Sequence, residues 1–72
     1  MDSLSATEKI RAIKSIQCDL LRMRAAVEQI GGPGKNFGDH KNAVLLSFHN
    51  INIHMYGLID TLEEFYKPHN NN

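Results

Sequence analysis

From Val44 to Phe65 the apolar residues Val44, Phe48, Ile51, Met55, Leu58, Leu62 and Phe65 recur at steps of 4 and 3. That spacing lays seven side chains along one side of a helix as an unbroken heptad seam. A second row, Leu45, Ile59 and Tyr66 with Asn52 among them, runs at intervals of seven along one flank. The apolar face is wider than a two-stranded zipper needs, so this helix is expected to touch more than one neighbour. Upstream, Ile13, Ile16, Leu20, Met23, Val27 and Ile30 form a second seam, extended by Ala6 and flanked by Ile10.

Local signals set the ends of these two helices. Ser5-Ala6-Thr7-Glu8 reads as a capping box, so the first helix is expected over 5–30, about 39 Å long. Gly31-Gly32-Pro33-Gly34 stops it, because glycine accepts the left-handed C-terminal conformation and proline cannot continue the ladder. The connection is expected over 31–39, with Phe37 tucking back onto the helix ends and Asp39 as the next N-cap. The second helix is expected over 40–67, ended by Pro68, with Lys67 suited to its C-terminal dipole and a low-complexity tail over 68–72. Gly57, costly in a helix interior, implies a close helix approach.

Together these elements give an all-α fold: an antiparallel two-helix hairpin in a single domain over 1–72. The seams meet within the chain and leave the flanking row of the second helix in water, which marks a contact surface. The expectation is a homo-oligomer, at least a dimer, built as a helical bundle. Its interface is expected at Leu45, Phe48, Ile51, Met55, Ile59, Leu62 and Tyr66.

Size and charge narrow the picture. A 72-residue chain buries a marginal core, and small domains commonly add a disulfide, a metal or a partner. One cysteine, Cys18, excludes an internal disulfide and suits a reducing, cytoplasmic setting. Residues 1–10 show no secretory signal pattern, and no apolar run has the length of a membrane span. Eight basic residues balance eight acidic ones, which argues against a general nucleic-acid binder. The first helix nevertheless carries Lys9, Arg11, Lys14, Arg22 and Arg24, so a local basic patch is available.

Candidate chemistry is sparse. Gly31-Gly32-Pro33-Gly34-Lys35 lacks the spacing, the Ser/Thr and the preceding strand of a phosphate loop. Lys35 and the glycine amides at the start of the second helix still offer a looser anion site. His49 and His54 stand five apart, on different helix faces, and no third ligand completes a metal set. Cys18 has no neighbouring base to activate it. Two helices offer no concave, water-excluded pocket within a chain, so neither an enzyme nor a metal or cofactor is expected. Lys14, Arg22 and Arg24 read either as a solvated, ion-paired face or as an anion site completed by oligomerisation, with guanidinium groups for phosphate and Tyr56, Tyr66 or Phe48 to stack a base. Asn52 reads either as a register-setting polar layer or as a pocket residue.

Leu4-Ser5-Ala6-Thr7-Glu8, Ile13-Lys14 and Ile51-Asn52-Ile53-His54-Met55-Tyr56-Gly57-Leu58 carry a family resemblance. The layout resembles the small phage anti-CBASS sponge proteins, which sequester cyclic nucleotide immune messengers between the chains of compact helical oligomers. The last stretch is similar to that family's Leu-Gln-x-Gly-Phe-Met-x-Leu run. The resemblance implies a phosphate-contacting role for Lys14. It departs at Phe48 and His49, where the family has Arg and Thr, and so leaves one family pocket without its ligands.

The functional expectation is a non-enzymatic oligomer that binds and withholds a small anionic ligand, such as a cyclic nucleotide, in an anti-defence role. Lys14, Arg22, Arg24, Lys35, Asn52 and Tyr56 are the candidate contacts. The alternative is a regulator that docks a partner or host protein through the exposed apolar face of the second helix.

Overall fold

The computed structural model describes residues 4–66. Among them the chain is all-helical: α1 spans Ala6–Glu28, α2 spans Gly34–Phe65, and the two pack against each other in an antiparallel hairpin. The molecule is a rod of 60 × 22 × 21 Å. Lys67 and the tail over 68–72, expected to end the second helix, lie outside the described residues.

Ser5 caps α1 as its sequence implies. The Glu8 amide donates to the Ser5 hydroxyl and the Ser5 amide donates to the Glu8 carboxylate, both at 3.1 Å. The far end of α1 is closed by the other helix. Lys41 Nζ donates to the carbonyls of Glu28 and Ile30 at 2.9 and 2.8 Å. A cation there satisfies orphan carbonyls and faces the negative end of the α1 dipole. The last turn of α1 has no basic residue of its own.

The connection is shorter than the glycine content suggests, because α2 begins at Gly34 rather than at residue 40. Pro33 occupies the N-cap position, and Gly34 takes φ +81°, a conformation that glycine reaches without a Cβ clash. Asp39 therefore lies inside the helix, where its carboxylate accepts from Lys35 Nζ at 2.8 Å instead of capping. Nothing in Asn36-Phe37-Gly38 forbids a helix once Pro33 and Gly34 have made the turn. Phe37 folds back as expected: a Cβ on Gly32 would stand 2.6 Å from its ring, so Gly32 leaves the room that the ring occupies.

The packing seam differs from the expected one by a rotation of each helix. We label heptad row a as Ala6, Ile13, Leu20 and Val27 on α1, and Lys41, Phe48, Met55 and Leu62 on α2. Row d is Lys9, Ile16, Met23 and Ile30 on the first segment and Val44, Ile51, Leu58 and Phe65 on the second. Row e is Ile10, Gln17 and Arg24, and Leu45, Asn52, Ile59 and Tyr66. The sequence pattern favours pairing a with d. The hairpin instead pairs a with e: Ile10, Ile13, Gln17, Leu20 and Val27 are half-buried, as are Leu45, Phe48, Asn52, Met55 and Leu62, and Ile59 is buried at 6% exposure. Leu45, Phe48, Met55, Ile59 and Leu62, expected at an oligomer interface, are thus turned toward α1. Ile51 and Tyr66 remain exposed.

Both choices are sterically available, since d and e lie about 60° and 40° on either side of a. Polar pairing distinguishes them. On the e side Gln17 Nε2 donates to Asn52 Oδ1 at 3.0 Å in a part-buried bond. One end is fastened by Lys9, whose ammonium lies 3.4 Å from the Tyr66 hydroxyl and 5.5 Å from that ring's centre.

Candidate functional site

The hairpin has two unlike broad sides. By helix geometry, rows on the same side of a in two antiparallel helices come to the same side of the pair. Apart from Lys9, which reaches Tyr66, the d rows therefore merge into one apolar side, with Ile16 and Met23 from α1, Ile30 just past its end, and Val44, Ile51, Leu58 and Phe65 from α2. Ile16, Met23, Val44, Ile51 and Leu58 are 42–52% exposed and Phe65 is 78% exposed. At the closed end this side deepens into a groove of about 290 Å³, lined by Val27, Ile30, Phe37, His40, Lys41 and Val44. Its wall is almost wholly carbon, which suits an apolar side chain rather than an anion.

The opposite side gathers the polar candidates. Lys14, Arg24, Asn52 and Tyr56 fall on rows that face this way, with Gln17 and His49 among them. Leu20, Leu21, Arg24, Phe48, His49 and Asn52 line a recess there of about 30 Å³. That is room for a water, against the roughly 300 Å³ or more of a typical ligand pocket. The Asn52 carbonyl oxygen is engaged by Gln17, which leaves its amide N–H groups as donors beside Arg24.

The remaining candidates stand apart. Arg22 precedes Arg24 by two helix positions and points about 160° away from it. Its guanidinium pairs with the Asp19 carboxylate. Arg24 Nε lies 3.3 Å from Glu28 Oε1, and Lys35 is held by Asp39 at the turn end of the rod. These are exposed pairs within one helix, each worth a few tenths of a kcal/mol, so a stronger anion can displace them. A single chain assembles Lys14, Arg24, Asn52 and Tyr56 on one side and leaves Arg22 and Lys35 out.

Other reactive groups are isolated. Cys18 is free and exposed on the outer side of α1. Among the described residues no three His, Cys, Asp or Glu side chains stand together as a metal set. The Glu8 carboxyl is held below its usual range, first by the Ser5 amide and then by the Ser5 hydroxyl. Among the described residues no helix is long and apolar enough to cross a membrane.

Lys41 was missed as a structural residue. The signal was present: it is the one charged residue in the row Lys41, Phe48, Met55, Leu62, seven positions before an inward-facing phenylalanine.

The chain matches no family model, no curated protein and no solved structure.

Proposed function

We propose that the chain is a non-enzymatic interaction module, a helical hairpin that acts by laying its apolar d side against another protein surface. The observation that supports it is the distribution of apolar residues. The hairpin closes on a and e, where Gln17, Arg24 and Asn52 interrupt the pattern, and leaves outside the row on which the α2 residues are all apolar. A side of that composition is a docking surface rather than a solvated face.

A second reading, sequestration of a small anionic ligand such as a cyclic nucleotide, is favoured by the Asn52 amide donors beside Arg24, with Lys14 and Tyr56 on the same side. The recess there is too small for a nucleotide, so this reading places the ligand between chains.

Native mass spectrometry with an ultraviolet spectrum tests both. The docking reading expects masses above that of one chain or, for a bare single chain, binding of a hydrophobic dye. The ligand reading expects a discrete small added mass and absorbance beyond that of Tyr56 and Tyr66, since the chain has no tryptophan. Loss of that added mass in Lys14→Ala/Arg24→Ala would assign the site. A bare single chain that also fails to bind a hydrophobic dye would refute the docking reading.

A further inference from the structure

We infer that the occupant of the d side is a second copy of this chain, joined face to face about a two-fold axis into a four-helix bundle. The inference rests on the docking reading and names its partner.

Area is the first argument. The chain exposes 5992 Å². A compact monomer of this length exposes about 4,500 Å², so the excess is about 1,500 Å². An obligate homodimer buries roughly 1,000–2,500 Å² on each partner. Among the described residues one side chain, Ile59, is buried, which is a small core for a chain this long. Doubling the hairpin across d would place rows a, d and e of all four helices inside, the wide stripe that a bundle helix requires.

Self-complementarity is the second argument. A two-fold interface sets each patch against its own copy, so like charges beside the axis would repel. The row bordering d on the outer side is Ala12, Asp19 and Ala26 on α1, and His40, Ser47, His54 and Thr61 on α2. Apart from the two histidines these are small and uncharged except Asp19, whose charge is answered by Arg22 on its own helix. The Ser47 and Thr61 hydroxyls are turned inward to backbone carbonyls of Ala43 and Gly57 at 2.8 Å, which leaves methylene and methyl groups for a neighbour. The d row itself offers knobs of mixed size, Val44, Ile51 and Leu58 opposite Ile16 and Met23, as interdigitating helices use.

Sedimentation equilibrium at micromolar concentration, with circular dichroism, tests the proposal on the full chain, on Ile51→Glu and on Leu46→Glu. Ile51 lies at the middle of the d side. Leu46 is as apolar and 59% exposed but lies on the outer face of α2, away from d. The expected result is a sedimenting mass of two chains for the wild type and Leu46→Glu, and of one chain for Ile51→Glu. Loss of helix in Ile51→Glu that returns at high concentration supports the same conclusion, because it shows folding coupled to the second copy. A monomeric wild type overturns the inference, as does an Ile51→Glu variant that stays dimeric while Leu46→Glu dissociates. A hydrophobic dye separates the two readings. A monomeric wild type that binds the dye, and loses it in Ile51→Glu, sinks the second copy but leaves the docking side standing. One that binds no dye sinks both.

Discussion

Ile59→Ala is expected to remove most of the stability of the hairpin. Ile59 is 6% exposed and lies one heptad beyond Asn52, so the Gln17–Asn52 bond fixes Ile10 as its opposite number. The change deletes three carbons. At about 0.8 kcal/mol per buried methylene the transfer loss is about 2.4 kcal/mol. The hole adds a cavity cost, reduced here because two helices held by one interface can close in on it; about 3 kcal/mol in all is expected. A core of this size supplies roughly 3–5 kcal/mol in total. Ile53→Ala is the control, since Ile53 is 52% exposed on the outer face and should lose less than about 1 kcal/mol. Urea titration at one fixed protein concentration, followed by helix ellipticity, reads both variants. The expected outcome is a broad, low-midpoint transition for Ile59→Ala and a nearly native one for Ile53→Ala. Equal midpoints, or the larger loss at Ile53, would refute the a/e packing.

Ser5→Ala should cost about 1 kcal/mol in thermal or urea melts by opening the capping box. The paired Glu8 carboxyl is held below 4.5, so its contribution is present above that value and is lost as pH falls through the lower folded value; lowering pH from about 6 to about 3 should weaken the wild type by this route and Ser5→Ala less. Gly57→Ala should add about 0.5–1 kcal/mol of stability, read as a higher urea midpoint, since a Cβ there meets nothing within 4 Å, whereas Gly34→Ala should lower the midpoint because φ is +81°. Asn52→Leu should raise the midpoint but broaden the amide resonances, as the layer that favours e over d is lost; sharp, single resonances would show that Asn52 does not set the register.

The two helices, the capping box, the glycine stop and the folded-back Phe37 were legible because each depends on a few neighbouring residues. The start of α2 was not, because Asp39 is a good N-cap only where a loop precedes it, and Pro33-Gly34 had already completed the turn. The close approach expected at Gly57 is also absent within the chain, where its Cβ position is open.

The choice of seam was the hardest element to read, and the reason is physical. Rows a, d and e are each largely apolar on α2, so periodicity alone cannot say which two of them meet α1. Hydrophobicity would choose d, and the chain chooses e, where the amides of Gln17 and Asn52 satisfy each other at 3.0 Å and Lys9 reaches Tyr66. A buried polar pair of this kind costs stability relative to an apolar layer, yet it fixes one alignment and penalises others. Here the penalty has a further effect. It keeps the more apolar row out of the internal seam and free for an outside surface. A chain selected only to fold alone would gain by burying Ile16, Met23, Ile51 and Leu58 and exposing Gln17 and Asn52. The reverse arrangement fits the inferred four-helix bundle, in which the hairpin would be half of a larger core and the polar pair would decide which side of each helix meets the second copy.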